Sequence, residues 1–455
     1  MMCFTLFLAV ISATTEPQVS TLVSYQNVWD IAAADMNGNG NKDILLLAHD
    51  ETAYPQQKEV ALFLSDGACA YPETPDYRLS LPEETGAIIL AEVDGAPPVE
   101  IVAVHTNGAF IYQFTDDGFV HIEDVTFNSL LPSRSREPVF MRHGAKDLRG
   151  DGVDEWLIPT AAGLEIWTRD GWVATASCDV VSEMRRGDSI VITHRLPDYQ
   201  TFEMEDMSTA GLAFLSDEFA DFVHGEDWSE HYRFRIPMTL EEKWDASAKM
   251  DDITGNGFPD LVVTQTRGTV RMQSETQVYL AKRPFEYPTE PDAVFTVNGA
   301  VSSPAMIDVN NSGHLDLVFI RIPFGVRNVV NFFMRGKLTV RADVYLFDGE
   351  SFSESADYST TMTMDAPEGR QRIAYTFGDF DGDGLVDVAY GRSQDALSIY
   401  TGDEQRFISS RPLAVLDMPS FGEARPYDLN NNNAKDIVLF RPGGNHATRV
   451  DVIVF

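Results

Sequence analysis

Short, fully apolar runs recur along the chain, as in Ile-Leu-Leu-Leu at 44–47 and Ile-Val-Leu-Phe at 437–440. Runs of this length, bounded by turn residues, are typical of strands that are buried on both faces. A second kind of run, rich in Val, Phe and Tyr and ending in a turn, begins at residues 60, 109, 164, 211, 278, 344, 397 and 450. No long stretch has the period of an amphipathic helix. The pattern therefore predicts an all-β chain.

A nine-residue polar loop precedes several of the apolar runs, and its fullest copy is Asp-Phe-Asp-Gly-Asp-Gly-Leu-Val-Asp at 379–387. Carboxylates occupy positions 1, 3, 5 and 9, and Gly384 occupies position 6, where the chain must turn. Two carboxylates ~4 Å apart repel by about 4 kcal/mol at an effective dielectric near 20, so the cluster favours a bound cation. A set of ligands that are all oxygen atoms favours Ca²⁺. The loop is not an EF-hand, because an EF-hand loop has twelve residues and lies between two helices.

Four further copies keep the first and ninth aspartates and carry Asn, Thr or Ser at positions 3 and 5. In the last copy Asn433 replaces the glycine, and Asn tolerates the left-handed conformation best after Gly. We predict calcium ligands at positions 1, 3, 5, 7 and 9 of all five loops. They are Asp35, Asn37, Asn39, Asn41 and Asp43; Asp252, Thr254, Asn256, Phe258 and Asp260; Asp308, Asn310, Ser312, His314 and Asp316; Asp379, Asp381, Asp383, Leu385 and Asp387; and Asp428, Asn430, Asn432, Ala434 and Asp436.

Two more copies are incomplete. The copy at 147–155 has Arg149 at position 3, which cannot bind a cation, and we expect an internal salt bridge to replace the ion there. The copy at 92–100 keeps Glu92, Asp94 and Glu100 but has Ala96 and Pro97 at positions 5 and 6.

The seven copies begin at residues 35, 92, 147, 252, 308, 379 and 428, with gaps of 49 to 71 residues except between 147 and 252. That longer gap contains the β-run at 211, so we place an eighth unit there without a metal loop and assign residues 189–194 as its second strand. All-β repeats of this length predict a single β-propeller of four-stranded blades over residues 19–455, with eight blades favoured and seven the alternative. A strand at 21–25 would complete the last blade and close the ring, which removes an open sheet edge.

Composition limits the partners and the compartment. The formal net charge of −36, from 34 basic and 70 acidic residues, repels nucleic acid and anionic membranes. An apolar start followed by small residues predicts a signal peptide over 1–18, and hence a secreted, periplasmic or cell-surface protein. No other apolar stretch is long enough to predict a membrane span. Cys69 and Cys178 are too few for a disulfide framework, and the sequence leaves their pairing open.

The D-x-D-x-D-G-x-x-D loops, with Phe377-Gly378 directly before the fullest copy, resemble the FG-GAP/VCBS-type repeats of secreted bacterial proteins. The calcium loops of those proteins are similar to those of integrin α-subunit propellers. The resemblance covers essentially the whole chain from residue 21 onward. It implies that the loops join the first and second strands of each blade on one face of the disc, and that ligands meet the opposite face.

The resemblance further implies several structural calcium ions and a binding or adhesion scaffold for a protein or glycan, and we expect a monomer. The chain contains no zinc-protease, serine-hydrolase, Walker or dinucleotide motif, so we assign no catalytic or cofactor-binding residue. The alternative is a polysaccharide-active enzyme of the lyase type, because eight-bladed calcium-containing propellers also occur among polysaccharide lyases.

One stretch breaks the acidic character of the chain. Residues 318–342 contain no Asp or Glu, and Phe324, Phe332 and Phe333 are interleaved with basic residues. A cationic, aromatic surface on an acidic body is a candidate docking point for an anionic group. The other interpretation is a long β-hairpin whose arginines pair with neighbouring blades. The candidate docking residues are Arg321, Arg327, Arg335, Lys337 and Arg341.

Overall fold

The computed structural model describes residues 16–50, 52–53, 57–132, 137–186, 190–204, 207–238, 244–268, 272–298, 300–301, 303–323, 332, 334–369 and 371–455. Apart from helical residues near 332–335, the regular structure of these residues is β-strand. Eight sheets of four or five strands form the blades of one propeller, as the sequence predicted. None of the described segments forms a helix long and apolar enough to cross a membrane.

The last blade is closed by the first strand of the chain. Strand β1 (Gln18–Val23) pairs antiparallel with β38 (Arg449–Val454), in a register that places Gln18 opposite Val454. The inner strands of this blade are β36 (Glu423–Tyr427) and β37 (Asp436–Phe440). Closure by an N-terminal strand is therefore confirmed, although the strand starts earlier than the predicted 21–25. Most of the predicted signal peptide, residues 1–15, lies outside the described residues.

The other seven blades follow one another along the chain, and in each the strand order from the first to the fourth is the order of the sequence. Blade 1 contains β2 to β5, at Asn27–Ala34, Asp43–His49, Lys58–Phe63 and Tyr77–Leu81. Blade 2 contains β6 to β9, at Ala87–Ala91, Glu100–His105, Gly108–Thr115 and Gly118–Thr126, with the short β10 (Val139–Phe140) added parallel to β6. Blade 3 contains β11 to β14, at Ala145–Lys146, Glu155–Thr160, Gly163–Thr168 and Gly171–Ser177.

Blades 5 to 7 complete the ring. Blade 5 contains β21 to β24, at Trp244–Asp251, Asp260–Arg267, Gln273–Tyr279 and Ala293–Asn298. Blade 6 begins with two short pieces, β25 (Ala300–Val301) and β26 (Ala305–Ile307), followed by β27 to β29 at Asp316–Ile322, Lys337–Tyr345 and Tyr358–Asp365. Blade 7 contains β30 to β32 and β35, at Tyr375–Gly378, Asp387–Ser393, Ala396–Tyr400 and Ala414–Asp417, with a small hairpin of β33 (Gly402–Asp403) and β34 (Phe407–Ile408) inserted.

Blade 4 exists without a nine-residue loop, as predicted, but the assignment of its strands was wrong. Its strands β17 to β20 are Asp198–Phe202, Gly211–Leu215, Phe219–His224 and Glu230–Arg235. The run at 211 is therefore the second strand of the blade. Residues 189–194 overlap β16 (Ile190–Arg195), which pairs with β15 (Val181–Arg186) in a separate hairpin. Every residue of β15 is exposed, so this strand buries none of the face that a blade strand would bury.

The core consists of eight clusters, one between each pair of neighbouring blades. In β3, Ile44 and Leu46 face the last blade, which is blade 8, whereas Leu45 and Leu47 face blade 2. Successive side chains of a strand point to opposite faces, so a second strand packed between two blades must be apolar at every position. This arrangement explains the fully apolar runs of the sequence.

The two described cysteines lie in different clusters and both carry free thiols. Cys69 is buried between blades 8 and 1, and Cys178 packs beside the cluster between blades 3 and 4. Burial raises the pKa of the Cys178 thiol to about 11, so the thiol stays protonated at neutral pH.

We predict that the closing blade depends on a buried ion-pair network. Asp451 is fully buried and contacts Arg441 at 2.6 Å, Arg449 at 2.8 Å and the Thr21 hydroxyl of β1 at 2.8 Å. Asp451→Asn would leave the buried Arg441 without its counter-ion, which costs roughly 3–5 kcal/mol. The urea-unfolding midpoint should fall accordingly, whereas Asp417→Asn at an exposed strand position should leave it unchanged. Equal midpoints for the two variants would contradict the role of Asp451.

Candidate metal loops and basic surface

All seven nine-residue loops join the first strand of a blade to the second, as the resemblance implied. Neighbouring strands in these blades are antiparallel, so the loops all lie on one face of the disc, which we call the metal-loop face. The turns between third and fourth strands lie on the same face. The turns between second and third strands lie on the opposite face.

The first-position carboxylate is held by backbone amides of its own loop. Asp35 accepts hydrogen bonds from the N–H groups of Asn39 at 3.1 Å and Gly40 at 2.8 Å. The amides at positions 5 and 6 donate in the same way to Asp147, Asp252, Asp308 and Asp428. The turn needs a positive φ at position 6, which is 89° at Gly40 and 70° at Asn433. The substitution of glycine by Asn433 therefore keeps the conformation.

Side chains at positions 3 and 5 extend this backbone network. Asn37 accepts from the amide of Asn39 at 3.0 Å, and Asn39 accepts from the amide of Asn41 at 2.7 Å. Asp381 and Asp383 make the same two contacts in their loop. An amide oxygen accepts as well as a carboxylate oxygen, which explains why Asn replaces Asp at these positions without loss of the loop.

The ninth-position carboxylate is buried and joins the loop to the third strand of its blade. One oxygen of Asp43 accepts from the Met36 amide and the other accepts from the Ser65 amide, both at 2.9 Å, and Ser65 lies just beyond β4. The equivalent pairs of donors are Thr254 and Ala281 for Asp260, Val309 and Phe347 for Asp316, Phe380 and Gly402 for Asp387, and Leu429 and Phe455 for Asp436. All five ninth-position aspartates are fully buried. This second role of the ninth residue was not predicted from the sequence.

Burial raises the pKa of each ninth-position aspartate, because desolvation disfavours the anion more than the two amides favour it. The pKa rises to about 6 for Asp43, Asp316 and Asp436, and to about 7 for Asp260 and Asp387. A bound cation would lower these pKa values again, because it stabilises the anion directly.

The loop at 379–387 brings three of its carboxylates together. Ligand oxygens of Asp379, Asp381 and Asp387 lie within 4.8 Å of one another. Burial and the charges of Asp383 and Asp379 raise the pKa of Asp381. An all-oxygen set with unbalanced negative charge fits a hard divalent cation such as Ca²⁺.

The incomplete loop at 92–100 also brings its acids together. Ligand oxygens of Glu92, Asp94 and Glu100 lie within 4.8 Å of one another. Burial raises the pKa of Glu100 to about 7. We predicted no ligands in this loop, because Ala96 and Pro97 interrupt the motif. The Ala96 amide nevertheless donates to Glu92 at 2.9 Å.

The loop at 147–155 holds a cationic side chain in place of a position-3 ligand. The Arg149 guanidinium hydrogen-bonds to the buried carboxylate of Glu155 and lies 3.4 Å from Asp151. This is the internal salt bridge that the sequence suggested. Arg149 shows that positive charge within the loop is compatible with the blade.

Four of the position-7 residues that we predicted as ligands have side chains that pack against other residues or lack a ligand atom. Phe258 is buried in the cluster between blades 4 and 5, and the His314 ring packs edge-on against Phe347 with centroids 5.7 Å apart. Leu385 and Ala434 have no ligand atom in the side chain. In these four loops the position-7 residue can therefore contribute only its main-chain carbonyl to a calcium ion, as in other calcium loops.

Backbone hydrogen bonds connect the loops of neighbouring blades. The amide at position 8 of one loop donates to the carbonyl at position 1 or 2 of the preceding blade's loop, as from Lys42 to Leu429 at 3.0 Å and from Val386 to Val309 at 3.1 Å. Among the described residues, the same contact joins Asp154 to Glu92, Leu315 to Ile253, Lys435 to Asp379, and Ala210 of blade 4 to Leu148. In the described part of the chain, these bonds join six of the eight pairs of neighbouring blades and form an interrupted belt on the metal-loop face; in blade 5 position 8 is Pro259, which has no N–H.

The basic stretch lies at the opposite face, on β27, β28 and the connection between them. Arg321 and Arg341 both contact Asp343 at 2.7 Å, within their own blade rather than with a neighbouring one. Burial alone would raise the pKa of Asp343, but the hydrogen bonds from Ser359 and the two arginines lower it. Lys337 pairs with Asp365, Arg335 is exposed, and Arg327, Phe324 and Phe333 lie outside the described residues.

Comparison with known proteins gives similarity of structure only. No protein-family model matches the chain, and no curated protein matches it. The V. cholerae biofilm matrix protein Bap1 is similar over 96% of this chain and 91% of its own, with 12% identity and a TM-score of 0.37. BBS1N in complex with ARL6DN is similar over 95% of this chain and 96% of its own, with 8% identity and a TM-score of 0.38. The WD40 domain of SCAP from fission yeast is similar over 96% of this chain and 98% of its own, with 8% identity and a TM-score of 0.33.

We predict that the ninth-position aspartate stabilises its blade without any metal. Asp316→Ala leaves two buried amides without an acceptor, at a cost of about 1–3 kcal/mol each. Asp308→Ala in the same loop exposes its amides to water, so its cost should be smaller. Urea unfolding in the presence of a chelator measures both. A loss at Asp316 no larger than that at Asp308 would show that the buried contacts are unimportant.

Proposed function

We propose that this chain is a calcium-stabilised β-propeller of the FG-GAP/VCBS repeat kind, which is exported and acts as a binding scaffold. The convergence of Asp379, Asp381 and Asp387 in one loop carries the calcium part of the proposal. The Arg149 salt bridge supports it, because the loop in blade 3 carries a cation at position 3, where the five predicted calcium loops carry an oxygen ligand.

Calcium would neutralise the clustered charge and cross-link each loop through oxygen ligands. Carboxylates and amides at positions 1, 3, 5 and 9, with the carbonyl at position 7, would hold the ion. The loop at 379 has the most carboxylates and should bind most strongly, the loops at 35, 252, 308 and 428 more weakly, and the loop at 147 not at all. Because the unfolded chain offers no formed site, binding adds to the free energy of unfolding.

Calcium should therefore raise the melting temperature of the purified protein, and a chelator should lower it. By linkage, free calcium at about 100 times the dissociation constant of one site adds about 2.7 kcal/mol. Asp381→Arg, which copies the arrangement of Arg149, should reduce the calcium stoichiometry by one in calorimetry while the chelated protein stays folded. A melting temperature that is insensitive to both calcium and chelator would remove the metal assignment.

A binding role follows from the rigid disc and its two faces. Turns on the face opposite the metal loops are free of the belt contacts, and loops on rigid scaffolds commonly carry binding sites. We place a protein or glycan partner there, with the basic stretch as one docking point for an anionic group. Among its described cations Arg335 is exposed, whereas Arg321 and Arg341 are committed to Asp343 and Lys337 pairs with Asp365. The proposed partner meets a monomer outside the cell or in the periplasm.

Charge reversal tests this docking point. Arg335→Glu should lower the salt concentration at which the protein elutes from a heparin column, because surface charge pairs are screened over about 10 Å at 0.1 M salt. Arg411→Glu, an exposed residue on the metal-loop face, is the matched control and changes net charge equally. If both variants shift elution by the same amount, only net charge matters and the docking point is rejected.

A further inference from the structure

A groove of about 450 Å³ opens at the rim between blades 3 and 4. Neighbouring blades diverge from the axis, so the gap between them widens toward the rim and must be filled by large side chains. Between blades 4 and 5, Phe285 and Tyr287 fill this gap, and the ring centroids of Tyr287 and Phe222 lie 6.0 Å apart. Between blades 3 and 4, Trp228 forms the base of the gap and the space above it stays open.

Two tryptophans define the groove. Trp228 is 2% exposed and donates its indole N–H to the Ala210 carbonyl at 2.9 Å. Its φ of 51° lies in the left-handed region, a conformation that costs a bulky residue about 1–3 kcal/mol and often marks a functional site. Trp172, at the start of β14, is 58% exposed and lies in the wall of the same groove. An indole exposed at the edge of a cavity offers a flat, apolar face on which a ligand ring can stack.

Polar groups surround the aromatic surface. The hydroxyls of Thr175 and Ser229, the carboxylate of Asp227 and the imidazole of His231 line the groove. Asp227 accepts from the amide and hydroxyl of Ser229, which fixes the turn. His231 contacts Asp221 through Nε2 at 3.0 Å, and among the described residues its Nδ1 makes no hydrogen bond. The groove therefore offers both donors and acceptors next to an aromatic face.

We propose that this groove binds a neutral saccharide, as a short oligosaccharide or a segment of a polysaccharide. A pyranose ring has an apolar C–H face that stacks on an indole and a rim of hydroxyls that need both donors and acceptors. The volume is within the range of small-ligand pockets, about 300–1,000 Å³. The Asp227 carboxylate and the net charge of −36 oppose an anionic sugar.

The groove is separate from the docking point on the opposite face. Trp172 follows the turn between β13 and β14, and Asp227 to Ser229 form the turn between β19 and β20, so both walls begin on the metal-loop face. The inference rests on the proposed binding function in general, but it needs neither bound calcium nor the basic stretch.

Affinity electrophoresis tests the inference with the whole chain. Native gels would contain dextran, galactomannan, xylan or mixed-linkage β-glucan, with alginate as the anionic comparison. We expect at least one neutral polysaccharide to retard the protein and alginate not to retard it. Trp172→Ala should weaken retardation at least tenfold. Tyr375→Ala, which removes an aromatic side chain of equal exposure (59%) on the opposite face, should leave it unchanged. Thr175→Val, which removes a hydroxyl with little change of shape, should weaken it by a smaller factor.

The outcomes separate this inference from the calcium proposal. Absence of retardation in every neutral gel, equal retardation of Trp172→Ala and the original protein, or Trp172-dependent retardation by alginate alone would each overturn the inference. Melting curves of the same samples with calcium and with chelator report on the metal loops independently. A calcium shift without saccharide retardation removes only the groove, and retardation without a calcium shift removes only the metal proposal.

Discussion

The ninth-position carboxylate is the interaction on which the order of every blade with a nine-residue loop depends. An apolar second strand such as β3 is attracted to both neighbouring blades, but hydrophobic contact alone does not fix its register. Asp43 fixes it, because its two oxygens accept amides from the loop before the strand and from the end of the third strand. The contact recurs with Asp260, Asp316, Asp387 and Asp436, and Glu155 receives the Leu148 amide at 2.8 Å in the same way. A buried acid that accepts amides from both segments favours this register over a shifted one, in which those amides would lose their acceptor.

This geometry separates the fold from the metal. The first-position carboxylates are held by backbone amides, and Arg149 occupies one loop as an internal cation, so a loop keeps its shape through several kinds of neutralisation. The belt of backbone bonds between neighbouring loops adds a mechanical link that no side chain supplies. Bound calcium would then act on a framework that already exists, and its effect would pass to adjacent blades through the belt.

The repeat order was readable from the sequence because its determinants are local. Nine residues suffice to specify a loop, and the spacing of loops counts the blades, so eight blades and closure by the first strand could be predicted. Contacts between distant residues could not. Ser65 lies 22 residues from Asp43, and nothing in its identity marks its amide as a donor. Ser189-Ile-Val-Ile-Thr resembles a blade strand by composition. Among the described residues, however, β16 pairs only with β15. Strand propensity does not reveal which face of a strand is buried. The groove depends on the divergence of two blades and has no local motif at all.

Blade 4, which lacks the nine-residue loop, forms one wall of the groove. In the other blades the nine-residue loop fixes the first two strands, and at several interfaces aromatic residues fill the rim. Blade 4 has no such loop, and its link to blade 3 on this face includes the single bond from Ala210 to Leu148. Ala210 also accepts the indole N–H of Trp228, so the same residue anchors the blade and the base of the groove. Trp228 adopts its left-handed conformation where its side chain packs in the cluster between blades 3 and 4. The open cavity therefore lies at the interface where blade 4, which has no ninth-position carboxylate, meets blade 3.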